Sequence, residues 1–207
     1  MLLFGRSRML NPARSREAIA FAVEVASRAR EVIGQDVFAW SSFASPETGM
    51  TLWSARFDSL NDLEVAADKL SVANEYMDYV EQHDDLFVGP TVDALTQIVA
   101  GTPDSSPLSY ISIVRATCRL GKLSDAMAAG AEIAEAVTRI TGRSCLFGAS
   151  LTGSYGGVGW ITGAPGAEAL SQAWATWAAD ADATAMVERI GELLEPGTNI
   201  TYLRRLA

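Results

Sequence analysis

Arg30-Glu31-Val32-Ile33-Gly34 and Thr138-Arg139-Ile140-Thr141-Gly142 decide the fold, because their closing glycines stand 108 residues apart and the chain keeps that spacing elsewhere. Trp53 and Trp160 are separated by 107 residues, as are Leu63 and Leu170, Leu86 and Leu193, and Thr91 and Thr198. Arg6 and Arg115 differ by 109, so two single-residue deletions reconcile the comparison. A nearly constant offset sustained over about 95 residues reads as internal repetition, and a fold assigned without it would be wrong throughout. The 207 residues are therefore two copies of one unit.

Between the copies, Gly101-Thr-Pro-Asp-Ser-Ser-Pro-Leu-Ser109 is rich in Pro, Ser and Gly and has no apolar periodicity, which is the texture of a linker. The expected boundaries are 1–100 for the first repeat, 101–109 for the linker and 110–207 for the second repeat. Residues 1–100 hold 8 basic and 15 acidic side chains, and residues 101–207 hold 8 and 10, so most of the net charge of -9 belongs to the first copy.

Working outward, each copy reads strand, helix, strand, strand, helix, strand. In the first, Leu2 to Met9 is a strand, and Asn11-Pro12 opens a helix from about residue 13 to the stop at Gly34. Glu24 and Arg28 form an i,i+4 pair on the outer side of that helix. Asp36 to Phe43 and Met50 to Phe57 form a hairpin, Asn61 to about Asp84 is one helix, and Val92 to Val99 is the last strand. In the second, Tyr110 to Cys118 is a strand and Ser124 caps a helix reaching Thr141. Ser144 to Leu151 and Val158 to Thr162 are the hairpin, Ala167 to Leu194 is mostly helix, and Asn199 to Leu206 closes the unit. A βαββαβ unit of about 95 residues is the ferredoxin-like plan, an antiparallel sheet of order 4-1-3-2 carrying both helices on one face. Two bare sheet faces in one chain remove apolar surface from water by covering each other. The fold expected is α+β: two tandem ferredoxin-like units forming an intramolecular α+β barrel.

Composition excludes several classes. An apolar share of 49% with 20% charged residues is ordinary globular chemistry. The acidic balance repels nucleic acid and anionic bilayers. No stretch approaches the roughly 18 to 20 apolar residues of a membrane span, and Met1-Leu2-Leu3-Phe4 runs straight into Gly5, Arg6 and Arg8, so a cytoplasmic address is expected. Two cysteines and one histidine cannot supply four N/S ligands to a structural zinc ion. In sheet order 4-1-3-2, Cys118 and Cys145 stand two strand spacings apart, beyond disulfide reach, which predicts two free buried thiols.

Two such units in tandem resemble the dimeric α+β barrel superfamily, in which two ferredoxin-like units join their sheets. The phrase Trp53-Ser-Ala-Arg-Phe-Asp-Ser-Leu-Asn-Asp-Leu63, a third strand running into the second helix, is similar to the stretch many members carry there. The resemblance covers nearly the whole chain in element order and brings no catalytic motif. It implies any of several activities: cofactor-free monooxygenases, haem-degrading enzymes, haem-binding chlorite dismutase relatives, isomerases, and members without a known reaction.

His83 is the only imidazole, and it suits proton transfer or haem ligation near neutral pH. Haem-degrading relatives place a ligating histidine toward that region of the chain, but the tryptophan they carry about ten residues earlier is Ala73 here. The other reading is a solvated histidine near a helix C-terminus beside Asp84 and Asp85. Arg6 and Arg115 occupy equivalent positions in the two first strands, which leaves structural ion pairing and ligand binding both open. In ferredoxin-like monooxygenases the ligand lies between sheet and helices. Trp40, Trp53, Tyr76 and Tyr79 would line such a cavity for a flat aromatic molecule, or simply pack the core. Trp174 and Trp177 read as packing, and the Gly-rich run 153–159 as a hairpin turn without the lysine of a phosphate loop.

The function expected is small-molecule binding by an α+β barrel, as a cofactor-free monooxygenase or isomerase acting on an apolar or aromatic substrate. Its candidate residues are His83 for catalysis and Arg6, Trp40, Trp53, Tyr76 and Tyr79 for the ligand, with no metal. One alternative is a haem-binding or haem-degrading protein using His83, and another a non-enzymatic assembly subunit. The chain would act as a monomeric pseudo-dimer or as a homodimer.

Overall fold

The computed structural model describes residues 1–104 and 107–206. The linker expected at 101–109 includes residues 105 and 106, which lie outside the described residues. The fold is mixed α+β, with eight strands and six α-helices among the described residues. The chain divides into two compact units, Met1–Leu95 with the chain end from Arg204, and Thr96–Leu203.

Unit 1 holds β1 (Leu2–Leu10), α1 (Ser15–Ile33), β2 (Val37–Ser42), β3 (Met50–Phe57), α2 (Leu60–Val72), α3 (Asn74–Glu81) and the start of β4 (Phe87–Ala100). Unit 2 holds the end of β4, then β5 (Tyr110–Thr117), α4 (Leu123–Thr141), β6 (Cys145–Ser150), β7 (Gly157–Ala164), α5 (Ala167–Ala179), α6 (Ala181–Gly191) and most of β8 (Asn199–Arg205). The pairs β1–β3 and β2–β3 in unit 1, and β4–β6, β5–β7 and β6–β7 in unit 2, are antiparallel. The helices α1 and α4 are both 19 residues long, α2 and α5 both 13, β2 and β6 both 6, β3 and β7 both 8.

The two long helices end by the same device. Gly34 and Gly142 take the left-handed conformation at φ 73° and 67°, and their N–H groups donate to the carbonyls of Arg30 and Thr138. Small residues on the inner face, Ala18, Ala22 and Ala26 in α1 and Ala126, Gly130 and Ala134 in α4, bring each helix close to its sheet. One tryptophan per unit fastens that contact: Trp53 Nε1 donates to the Ala22 carbonyl and Trp160 Nε1 to the Gly130 carbonyl, both at 2.9 Å. A buried indole N–H without a partner is costly, so each bond fixes the depth of its helix.

Several boundaries differ from the sequence reading. The second helix of each unit is broken, at Ala73 (φ -81°, ψ 87°) and at Asp180. Asp180 explains its own break, because its carboxylate accepts from the Ala183 N–H and restarts the helix. Apolar periodicity does not see such a break, since both pieces keep the same face inward. Ser124 is not the cap of α4, which starts one residue earlier with Lys122 at the cap and no side-chain bond. β4 begins at Phe87, five residues before the expected start. Cys118 and Cys145 are free and buried. The Glu24–Arg28 pair is present at 2.8 Å. No described helix is long and apolar enough to cross a membrane.

Candidate functional site

Register places the candidate residues of unit 1. Arg6 stands directly across from Trp53, and Arg8 across from Thr51, in the β1–β3 ladder. Paired residues share a face, and Trp53 is bonded to α1, so Arg6, Arg8 and Thr51 all lie on the helix-facing side. Arg6 grips Asp93 of β4 side-on, Nε to Oδ1 and Nη2 to Oδ2, each at 2.8 Å. That charge-assisted bond raises the Arg6 pKa, and burial raises the pKa of the neighbouring Tyr76 phenol.

Next along β1, Arg8 donates from Nη1 to Asp84 Oδ1 at 2.6 Å, and its guanidinium carbon lies 4.8 Å from the centre of the Phe87 ring. Its Nε is buried without a partner, and so is the hydroxyl of the fully buried Thr51. Phe21 of α1 joins the surrounding rings: it stacks on Tyr79 at 5.3 Å and also meets His83 and Phe87, while Trp53 meets Phe87 edge-on at 5.6 Å. Arg28 covers Tyr79 at 4.2 Å.

His83 lies just past α3, at the head of a short 3-10 turn (Asp84–Leu86), rather than inside a helix. Its Nδ1 is 2.8 Å from the Tyr79 carbonyl oxygen. A carbonyl only accepts, so Nδ1 carries a proton and donates it to the Tyr79 oxygen. The ring is half-buried, 4.5 Å from Tyr79.

The structure thus brings Arg6 beside Tyr76, and Trp53, Tyr79 and His83 together through Phe21 and Phe87. Trp40 is not with them. It pairs with Leu52, on the sheet face opposite Trp53, where its Nε1 donates to Ser54 Oγ at 2.9 Å and Phe38 lies 6.4 Å away. The equivalence of Arg6 and Arg115 is also corrected. Val114, not Arg115, stands across from Trp160, whereas Arg115 pairs with Gly159 on the other face and donates to Thr201 Oγ1 at 3.3 Å. In a period-two element a one-residue error in the offset reverses the face.

With that correction, unit 2 carries apolar residues at five places where unit 1 is polar on this side of the sheet. Val114 stands for Arg6, Ala116 for Arg8, Val158 for Thr51, Ile200 for Asp93 and Ile190 for His83. The sequence reading missed Asp93, Thr51 and Asp84. A signal for Asp93 existed: it is in phase with the buried Leu95, so it was due to face the helices. The reading also missed a cavity of about 240 Å³ in unit 2, at the turn from β5 into α4, lined by Cys118, Arg119, Ser124 and Tyr155 among others. Burial raises the Cys118 thiol pKa. Among the described residues, no group of three or more His, Cys, Asp or Glu side chains could hold a metal ion.

No protein-family model matches the chain, and no curated protein matches it in sequence. Solved structures do match its fold along the whole length. A "putative monooxygenase" from Fusobacterium nucleatum superposes with a TM-score of 0.77 at 6% identity, covering 100% of this chain and 92% of its own. An anthrone oxidase-like protein reaches 0.61 at 11% identity, over 99% and 90%. A mutant chlorite dismutase from Candidatus Nitrospira defluvii reaches 0.55 at 8% identity, over 99% and 92%. Identities this low establish a shared α+β barrel fold and nothing about chemistry.

Proposed function

We propose that the protein binds a small, mostly apolar, aromatic molecule on the helix-facing side of the unit 1 sheet, and acts on it as a cofactor-free monooxygenase or isomerase. The observation that carries this reading is the contrast just described: Arg6, Arg8, Thr51, Asp93 and His83 in unit 1 against five apolar residues at the corresponding places in unit 2. A scaffold needs none of these polar groups there, since apolar replacements at an ion pair are often neutral or stabilising. The names of the matching structures supply monooxygenase and oxidase chemistry as context for the fold.

Trp53, Phe87 and Phe21 give an apolar, ring-rich wall, and Tyr76 and Tyr79 close it from α3. No residue of α3 is fully buried, and the break at Ala73 frees it from α2, so α3 is the element that parts to admit a ligand. In the reaction, His83 Nε2 takes a proton from the substrate while a guanidinium holds the oxygen on which charge gathers. The resulting anion is either reprotonated elsewhere, giving an isomer, or adds dioxygen as co-substrate to give a peroxide that takes up the proton and, on losing the second C–H proton with O–O cleavage, leaves one oxygen as a carbonyl and releases the other as water. Trp40, on the other face, serves packing. In this reading the chain is two duplicated ferredoxin-like copies, a cytoplasmic pseudo-dimer without a nucleic-acid or membrane partner.

A second reading rests on the same histidine. The Nδ1–H bond to the Tyr79 carbonyl leaves Nε2 as the nitrogen for a metal, so His83 would be the residue to hold haem iron, and haem would supply redox chemistry there. Native mass spectrometry of protein from its own host, with a hemin titration, separates the readings. A retained aromatic molecule and no Soret shift support the first. A Soret band lost in His83→Ala supports the second. A chain that retains nothing and forms one compact species with several copies favours an assembly subunit.

A further inference from the structure

Three buried side-chain polar atoms have no hydrogen-bond partner among the described residues, Arg8 Nε, Arg30 Nε and Thr51 Oγ1, all in unit 1, and two of them, Arg8 Nε and Thr51 Oγ1, belong to residues paired across the β1–β3 ladder. Thr51 is wholly enclosed, and the Arg8 side chain is only 16% exposed. Buried groups of this kind normally find a hydrogen bond, so an orphan pair is a request for a partner the chain does not supply. Guanidinium nitrogens only donate, and a hydroxyl donates as readily as it accepts. A donor on each of two paired residues calls for an acceptor oxygen within reach of both.

The same strand shows what kind of oxygen. Arg6, two residues earlier on the same face, uses its Nε edge to hold the Asp93 carboxylate side-on. Arg8 has its Nη1 tied to Asp84 and its plane over the Phe87 ring, which fixes its attitude and leaves Nε without a carboxylate of its own. The place corresponding to Thr51 in unit 2 is Val158, and to Arg8 is Ala116, so neither polar group is demanded by the architecture. We propose that Arg8 Nε and the Thr51 hydroxyl form a subsite for a planar acceptor oxygen, the carboxylate or conjugated carbonyl of an aromatic ligand whose ring lies along Phe87. This rests on the small-molecule reading above and names the chemical class of its ligand.

The test uses the full chain and three single-ring probes of similar shape: benzoate, acetophenone and ethylbenzene, followed by amide chemical shifts of β1 and β3. The expected result is that benzoate or acetophenone binds at least fivefold more tightly than ethylbenzene, that the tighter of the two identifies the oxygen as carboxylate or carbonyl, and that Thr51→Val abolishes the preference. Because Thr51→Val removes an unpartnered hydroxyl and writes in the unit 2 residue, the ligand-free variant should melt no lower than the parent. Arg8→Lys, which keeps the charge and loses Nε, should act in the same direction. Equal binding of all three probes would overturn the subsite and leave the small-molecule reading standing. Binding by none would overturn both. An unchanged preference in Thr51→Val, with a lower melting temperature, would show that a structural water satisfies the hydroxyl and would overturn the proposal.

Discussion

The two units carry the same tryptophan bonded to the same helix, yet fill the space beside it by different means. In unit 2 a single ring does it: Phe147 is fully buried, 5.0 Å from Trp160, and lies on Gly130, where a Cβ would come within 2.2 Å of its ring. In unit 1 the corresponding residues are Ala39 and Ala22, and the volume comes instead from Phe21, Tyr79, His83 and Phe87. Their counterparts in unit 2 are Ala129, Met186, Ile190 and Leu194. The difference teaches that the tryptophan and the glycine caps define the unit, while the filling is free to change as long as volume is kept. It also recasts His83, which occupies an aliphatic position in the other unit and packs against Phe21 and Tyr79 in this one.

The sharpest way to break this comparison is to write the unit 1 residue into unit 2. Phe147→Ala copies Ala39 without the aromatic cluster that compensates for it, leaving a cavity at a site with no exposure. Loss of about 3–5 kcal/mol is expected, read by chemical denaturation. A loss under about 1 kcal/mol would mean that the two fillings are not exchangeable solutions to one problem. Gly130→Ala follows, with about 1–3 kcal/mol lost to the clash with the Phe147 ring, although alanine is the better helix former by about 1 kcal/mol. The double variant Gly130→Ala with Phe147→Ala should recover part of the first loss, because the two side chains compete for one space.

Much of the architecture was legible in the sequence, and the parts that were not share a cause. The offset carried by Gly34 and Gly142, and by Trp53 and Trp160, found the caps and the fastening indoles, because those residues have roles tied to single backbone positions. The same offset misjudged Arg115 by one residue, which in a strand is a full reversal of face. The grouping of Arg6, Trp53, Tyr76, Tyr79 and His83 was legible in outline, since all belong to the helix-facing side. Trp40 was misplaced for the same reason as Arg115: hairpin register is set by turn geometry that composition does not reveal. Asp93 and Asp84 escaped because their arginines come from strands and turns distant in sequence.

A third test uses ionisation. Burial pushes the Cys145 thiol up to about 11, and the residue corresponding to it in unit 1 is Val37, equally buried and unable to ionise. The folded chain holds this proton more tightly than the unfolded chain does. The stabilisation is therefore complete below about pH 9, the ordinary thiol value, and is lost as pH rises toward 11, by about 3 kcal/mol in all. Cys145→Val should flatten that part of the pH–stability curve. An unchanged slope would show that the thiol does not control it.

The smallest effect is expected where the functional contrast is greatest. The Arg6 and Asp93 side chains are 51% and 44% exposed, so solvent screens their bidentate pair and its net worth is about 0–1 kcal/mol. Replacing both with their unit 2 counterparts, Arg6→Val with Asp93→Ile, should therefore leave the unfolding free energy within about 1 kcal/mol, and a double-mutant cycle should return a coupling of the same size. A coupling of 3 kcal/mol or more, in the range of a buried network, would make the pair a structural element of unit 1. If the stability change is small and binding of an aromatic carboxylate or ketone falls together with it, the pair is retained for what it holds in place. Arg6 then keeps the β1 face polar up to Arg8.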